Sequence, residues 1–462
     1  MTIWSPDLSL TTGSKVQRLA NAIATDIAEG RLGPGEKLPP QRDLAYQLGI
    51  SVGTVTRAYG EVHRRGLVEG IVGSGTYVRR IETASTAFVL PPDAPSGIID
   101  LSISVYASPI WEPAFRNSLA NLAEADPASL LEYQSAAGAA RHRSAGATWL
   151  SKPGFEPHPD SIIVTMGGQH ALAVTLSGLS RPGDTVLVEK FVYPPIRSLA
   201  HMYGLTLKAI DMDDQGILPS SLETACRSQS VSLVYLTPTL QNPTNAIMGE
   251  ARRAEIAAIA QRHNLYIIED DVTGALLPDS PLPIASHAPE HCCLVSSVSK
   301  AVAPGLRTGF ISAPADLHEP LADRIRAFSW MATPLTAEIA AGWIEDGTAS
   351  QMRATISQEN RERHRLAAGL LTDLKESSSA QVSPHFWYKL PERWGSSGFV
   401  EAAQALGVRV AATQSFAVGQ RGAGDHIRIS VGAARSQDEL HQALCILAEL
   451  GNGMPARDLA IF

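Results

Sequence analysis

A chain of 462 residues is longer than one hydrophobic core usually extends, so two or more domains are expected. Its composition, 44% hydrophobic and 18% charged, excludes wholesale disorder, and the cysteines Cys226, Cys292, Cys293 and Cys445 form neither a disulfide framework nor a zinc pattern. A net charge of -8 argues against nucleic acid as a partner of the whole chain, but residues 1–78 hold eight Lys and Arg against seven Asp and Glu, leaving that segment at +1 and the remainder at -9, a balance that permits DNA binding.

The start, Met1 to Leu10, lacks a basic stretch followed by an apolar core, and no run of about 18 apolar residues occurs. The expectation is a soluble, cytoplasmic chain with no membrane partner. Val16, Leu19, Ala20, Ile23 and Ile27 recur at three- and four-residue spacing and predict a first helix, stopped by Gly30 and Pro34-Gly35. Pro39-Pro40 opens a second helix over 41–47, and Gly49 breaks it. Ser51 caps a third, with Val55, Ala58 and Val62 inward and Gly53, Thr54, Thr56 and Arg57 toward solvent. Residues 69–78 alternate about a glycine-rich centre, as a two-stranded wing does.

This is helix-turn-helix spacing. A helix entering the major groove needs short polar or basic side chains near its N-terminus, and Ser51, Gly53, Thr54 and Arg57 supply them. Arg42 is placed on a phosphate, and Gly73, Ser74 and Gly75 at the wing tip on the minor groove or the backbone. Lys15, Arg64 and Arg65 add charge. Singly, each of these residues is as readily a solvated helix face; the arrangement carries the reading.

From 79 to 98 the pattern fades into Thr, Ser, Ala and proline, which reads as a linker between a domain at 1–78 and another at 99–462. Beyond it, strand-like runs at 161–165, 185–188, 232–236, 265–268, 293–295 and 308–312 alternate with amphipathic helical stretches. The fold class is therefore α/β, a mostly parallel sheet covered by helices, and Phe386 to Leu390 adds a strand of a small C-terminal subdomain.

Four features of this second domain converge. Ser297, Ser299 and Arg307 bracket Lys300, so one loop aims hydroxyls and a guanidinium at an anion beside a lysine. A strand ending Ile267-Ile268-Glu269-Asp270-Asp271 delivers a carboxylate to the sheet's C-terminal edge, where ligands of open α/β folds sit. Gly168-Gln169 opens a helix whose amides suit an anion. Asn242 follows another strand. Pyridoxal phosphate asks for such a set: a lysine for its aldehyde, a carboxylate for its pyridine nitrogen, a donor for its ring hydroxyl and a phosphate cradle. His170 and the Cys292-Cys293 pair read as packing.

The run Leu38 to Ala45, then Gly49 to Tyr59, Gly66 to Val68 and Gly73 to Thr76 resembles the GntR-type winged helix, with Val52 where many members carry arginine. From about Asp100 to Glu449 the chain resembles fold-type I aminotransferases, and the two together resemble the MocR branch of the GntR superfamily. The resemblance implies a head-to-tail homodimer. It assigns Lys300 to the cofactor aldehyde, Asp270 to the pyridine nitrogen, Asn242 to the ring hydroxyl and Tyr193 to the ring face. Gly168, Gln169, Ser297, Ser299 and Arg307 go to the phosphate, and Tyr133 to the phosphate of the partner subunit. Arg428 grips a substrate α-carboxylate, a bidentate task suited to guanidinium.

Two positions depart from that family. Thr273 stands where a tyrosine usually donates to the ring hydroxyl, which predicts weak catalysis. Asn245 stands where glycine usually follows the Asn-Pro-Thr motif, a change a left-handed backbone tolerates. The expected function is a regulator that binds a double-stranded DNA operator and answers to an amino acid, an amine or pyridoxal phosphate. The alternatives are a working aminotransferase with a DNA-binding appendage, or constitutive DNA binding with the large domain serving only to dimerise.

Overall fold

The computed structural model describes residues 4, 6, 14–28, 31–33, 35–64, 67–71, 75–78, 97–104, 111–124, 128–228, 230–371, 382–419 and 426–453. The chain divides into two compact units, Met1–Thr86 and Ala87–Phe462. Most of the expected linker, 79–96, and the wing positions Gly73 and Ser74 lie outside the described residues.

The first unit consists of α1 (Lys15–Ala28), α2 (Gln41–Leu48), α3 (Val52–Arg64) and the antiparallel hairpin of β1 (Val68–Ile71) and β2 (Gly75–Val78). Leu19, Ile23, Leu44, Val55, Ala58, Val62 and Val78 close its core. Gly49 ends α2 in the left-handed region at φ 62°, a conformation glycine adopts without steric cost. The Ser51 hydroxyl accepts from the Thr54 N–H at 3.2 Å and caps α3. The Tyr59 hydroxyl donates to the Pro39 carbonyl at 2.8 Å, tying α3 to the entry of α2. On the hairpin, Gly75 has φ 129° and a Cβ there would come within 2.8 Å of the Lys37 side chain.

The strands of the second unit are β3 (Ile99–Asp100), β4 (Ile162–Thr165), β5 (Thr185–Glu189), β6 (Thr206–Ile210), β7 (Met212–Asp213), β8 (Gly216–Ile217), β9 (Leu233–Leu236), β10 (Tyr266–Asp270), β11 (Cys292–Ser297), β12 (Gly309–Ser312), β13 (Phe386–Lys389), β14 (Val408–Arg409), β15 (Ala411–Ala412) and β16 (His426–Ile429). Seven of them form one sheet in the order β4-β12-β11-β10-β9-β5-β6. Every neighbouring pair is parallel except the two made by β12. Val164, Leu187, Val234, Ile267 and Leu294 feed a core on one face; Ile163, Val186, Val188, Tyr235, Ile268 and Val295 feed one on the other. Burial on both faces is what continuous apolar strands require. The sequence reading missed β6, which lies at the sheet edge and leaves Thr206, Lys208 and Ala209 exposed, so its pattern lacks the apolar run of the inner strands.

The small subdomain is an antiparallel sheet, β13-β16-β15. β14 pairs in parallel with β3, so the first strand of the unit returns to the subdomain formed by its last residues, and Leu101 packs with Phe386, Val408, Ile427 and Ile429. Among the described residues, no helix is long and apolar enough to cross a membrane.

The helix Ala140–Leu150 approaches the large sheet through Gly146, where an added Cβ would lie 2.5 Å from the Phe310 ring and 2.9 Å from Ile162 Cγ2. Both neighbours are buried. Gly146→Ala is expected to destabilise the large unit by about 1–3 kcal/mol through overpacking, read as a lowered midpoint in chemical denaturation.

Candidate functional site

On the first unit, α3 presents Val52, Gly53, Thr56, Arg57 and Gly60 to solvent, and α2 presents Arg42. Ser51 is exposed as well, although its hydroxyl is engaged in the cap. Thr54 departs from the sequence reading. It is 8% exposed and its hydroxyl lies 2.8 Å from that of Ser51, so it shapes the helix start from within. The Thr56 hydroxyl donates to Gln41 Oε1 at 2.6 Å and fixes α3 against α2. Arg57 folds its Nε onto the Gly53 carbonyl at 3.2 Å. A Cβ added at Gly53 would meet nothing within 4 Å, so the fold itself places no demand for glycine there.

On the second unit, the loop after β4 is built from close approaches. Gly167 has φ 84°, and a Cβ on it would lie 2.7 Å from Arg307 Nη2. One on Gly168 would meet Val272 Cγ2 at 2.7 Å and Ser297 Cβ at 3.5 Å. The helix Gly168–Leu179 starts here, with Gln169 exposed at its first turn. The Met166 N–H donates to His170 Nδ1 at 3.0 Å; burial, and then Arg307, push the His170 proton affinity down. The Ser297 hydroxyl donates to Ser299 Oγ at 2.9 Å and accepts from the Ser299 N–H at 3.1 Å. Glycine-walled space, hydroxyls and a guanidinium thus share one loop cluster beside Lys300.

Asp270 ends β10 deep in the sheet. Burial raises its carboxyl to about 6, against the opposing pull of the Tyr235 hydroxyl, which donates to Oδ2 at 2.7 Å, and of the Val272 N–H, which donates to Oδ1 at 3.1 Å. Lys300 Nζ donates to the Ser104 carbonyl. Burial lowers its ammonium to about 8, with Arg428 and Arg307 adding to the effect and Asp270 opposing it. Burial likewise pushes the Tyr193 phenol up to about 12; Asp270 adds to that shift, and Arg307 and Arg428 offset it. Asp270, Lys300, Tyr193, Arg307 and Arg428 therefore lie close enough to alter one another's protonation.

Arg428 on β16 is fully buried. Its Nη1 donates to Asn242 Oδ1 at 2.9 Å and its Nη2 to the Ser102 carbonyl at 2.6 Å, while the guanidinium lies 4.8 Å over the Phe416 ring. Burial lowers it to about 10. The loop carrying Asn242 is anchored by Gln241, whose Nε2 donates to Glu189 Oε2 at 3.1 Å and to the Phe191 carbonyl at 2.6 Å. Tyr133 stands apart from this cluster; it is 81% exposed, with its ring centroid 5.4 Å from that of Trp330.

Sequence reasoning did not find Tyr235, Ser102 or Ser104. Tyr235 sits in the apolar run of β9 and looks like core until the parallel register sets it beside Ile268, two residues before Asp270. Thr273 opens a single turn, Gly274–Leu276, and the hydroxyl that supports Asp270 is that of Tyr235 on β9. The donor set fits pyridoxal phosphate: a lysine held near neutrality, a buried carboxylate, and a cradle of glycine, serine and arginine.

Comparison with known proteins agrees with both halves. Residues 15–78 match the family of bacterial regulatory proteins, gntR family, and residues 96–447 match aminotransferase class I and II. An uncharacterized HTH-type transcriptional regulator of Bacillus subtilis, YdeF, is 31% identical over 97% of this chain and 96% of its own. The HTH-type pyridoxine biosynthesis transcriptional regulator PdxR of Corynebacterium glutamicum is 26% identical over 79% of this chain and 81% of its own. Among solved structures, the α-aminoadipate aminotransferase LysN of Thermus thermophilus superposes with a TM-score of 0.69 at 20% identity, covering 78% of this chain and 94% of that one.

Two outcomes follow from this geometry. Gly53→Ala is expected to leave the stability of the first unit unchanged or raised by up to about 1 kcal/mol; if α3 is the helix that enters the groove, the added methyl would hold its backbone off the bases and weaken binding to duplex DNA, which paired melting and DNA titrations check. Asp270→Asn is expected to melt above the wild type when both are free of cofactor at pH 7. The folded state holds the Asp270 proton up to about pH 6, so this stabilisation is complete below about pH 4 and lost as pH rises through 6. Above that the wild type bears a buried charge worth on the order of 3 kcal/mol at most, and the difference between the two proteins should vanish below pH 4.

Proposed function

Because the chain belongs to the GntR-family transcriptional regulators that carry an aminotransferase class I and II domain, we propose that it binds pyridoxal phosphate in its second unit and answers to an amino-group effector while its winged helix holds an operator. The observation that carries this reading is the loop cluster beside Lys300, where Gly167 and Gly168 stand against Arg307 and Ser297, Ser297 bonds Ser299, and Lys300 Nζ donates to the Ser104 carbonyl. A lysine lowered to about 8 gives up its proton nearer to neutral pH than a solvated lysine does. Pyridoxal phosphate bound there supplies an aldehyde carbon that takes up primary amines. Lys300 would hold that carbon, Asp270 the pyridine nitrogen, Asn242 the ring hydroxyl and Tyr193 the ring face. Ser297, Ser299, Arg307 and the amides of Gly168 and Gln169 would hold the phosphate.

Arg428 would take the acid group of an effector, since its neutral partners leave the guanidinium charge uncompensated. Exposed Tyr133 fits a surface covered by a second copy in a head-to-tail dimer, and reaches the phosphate of the partner site in that arrangement. On α3, Gly53 and Arg57 would meet base edges, with Arg42 on a phosphate; Gly75 lies at the wing. Such a regulator works in the cytoplasm, where its operator is. The Corynebacterium relative is named as a regulator of pyridoxine biosynthesis, which is the ground for a second effector class here, pyridoxal phosphate itself.

Three measurements test the reading. Pyridoxal phosphate is expected to give the wild type a long-wavelength absorbance band that Lys300→Ala lacks; an unchanged band in the variant would remove Lys300 from its role. Deleting residues 1–78 is expected to abolish duplex binding. With Thr273 in place of a tyrosine, turnover of amino acids and 2-oxo acids is expected to stay below about 1 per second. Faster turnover would favour a working aminotransferase.

A further inference from the structure

α3 divides into two faces. Val55, Ala58, Tyr59 and Val62 close the core of the first unit, while Val52, Gly53, Thr56, Arg57 and Gly60 face solvent. Val52 is the first residue of the helix and is 43% exposed. It does not pack on the core of its unit. Among the described residues of that unit, Val52 and Tyr46 are the large apolar or aromatic side chains left exposed. Valine is neither a capping residue nor a strong helix former, so the fold itself gives no reason for it here.

The polar groups around Val52 are spent inside the protein. Ser51 Oγ accepts from the Thr54 N–H at 3.2 Å and lies 2.8 Å from Thr54 Oγ1, and Thr54 is buried. The Thr56 hydroxyl, one turn beyond Val52, lies 2.6 Å from Gln41 Oε1 and 3.0 Å from the Val52 carbonyl, so its single proton stays within the unit. Arg57 commits Nε to the Gly53 carbonyl at 3.2 Å and keeps its terminal nitrogens for other partners. Gly53 has no side chain, and a Cβ there would meet nothing within 4 Å. What the first turn of α3 offers outward is therefore the pair of Val52 methyl groups beside bare backbone, with the exposed cations Arg42 and Arg57 on the same two helices.

Base edges in the major groove present donors and acceptors, and one methyl group, that of thymine. A hydroxyl, amide or guanidinium at the head of the helix would read a donor or an acceptor. Valine can read only the methyl. A purine at the same place would set its acceptors against an apolar surface and hold water away from them, which costs binding. Cytosine would present a donor and lack the methyl.

We propose that Val52 is a specificity-determining residue that packs on a thymine methyl, so that the operator carries an A·T pair at a fixed position under the start of α3. The inference rests on the reading of the winged helix as the operator-binding part, and narrows it to a base.

The experiment uses the full-length protein. A duplex is selected from a random pool with the wild type, and each thymine of the selected site is replaced, one at a time, by deoxyuridine, which keeps the hydrogen-bonding groups of the pair and lacks only the methyl. Affinities are titrated at one fixed salt concentration. One position, with its symmetry mate where the site is palindromic, is expected to lose about fourfold, the worth of one buried methyl. Val52→Ala is expected to bind the thymine site about fourfold more weakly than the wild type, and to lose nothing further when deoxyuridine replaces thymine at that position. Val52→Arg, reselected from the same pool, is expected to take guanine there through O6 and N7, and its binding to that new site reports that the variant is folded. Deoxyuridine accepted at every position by the wild type, an equal loss at the critical position in Val52→Ala, or selection of the original site by Val52→Arg would overturn the inference while leaving a DNA-binding regulator in place. Should the wild type enrich no duplex above the starting pool, the proposed function fails and the inference with it.

Discussion

A guanidinium buried on neutral partners organises the second unit. Arg428 joins β16 to the Asn242 loop and to the Ser102 carbonyl, and rests on Phe416. These are three distant stretches of chain brought to one charge. Removing a cation from water without an anion beside it is costly, and burial already lowers Arg428 to about 10. Lys300 and Arg307 lie near enough for their charges to bear on the same region, with Asp270 as the carboxylate opposing them. The surroundings of Arg428 and Lys300 therefore hold more positive than negative charge, which an anionic ligand relieves; burial first, and then this local excess, depresses the lysine.

The same tension separates stability from function. Asp270 sits where burial raises it to about 6 and needs Tyr235 and the Val272 N–H to remain ionised near neutrality. Glu189, fully buried and raised to about 8, accepts from the Thr237 N–H and from Gln241 to hold the loop that presents Asn242. Groups kept in such states are a burden to the fold and an asset to a site. The winged helix shows a milder version of this trade, since Gly53 serves no need of its own helix.

Legibility in the sequence followed locality. Ser297, Ser299, Lys300 and Arg307 lie within one short stretch, and Gly168 and Asp270 each follow an apolar strand, so periodicity and spacing were enough to place them. The three helices of the first unit were legible for the same reason. Thr54 was assigned to the outer face because spacing alone does not tell a helix's first turn from its cap, and its hydroxyl turns in to Ser51. Tyr235 was invisible because its role depends on the register between β9 and β10, and a tyrosine in an apolar run is ordinarily core. Asn245 looked like a silent replacement of glycine; only the packing of the small subdomain against its loop reveals the bonds to His385 and Ser383. The pairing of β3 with β14 joins residues more than 300 positions apart, beyond any local pattern.

If effector binding and operator binding are coupled in one chain, linkage requires each to change the affinity for the other by the same factor. The direct measurement is the affinity of the pyridoxal-phosphate-loaded, full-length protein for the amino-group compound it binds most tightly, with and without a saturating duplex selected from a random pool. A shift of about 5- to 150-fold, the usual span of allosteric coupling, matched by an equal shift in duplex affinity when the effector is saturating, is the predicted result. Identical effector affinity with and without the duplex would contradict the account, because the two units would then act independently.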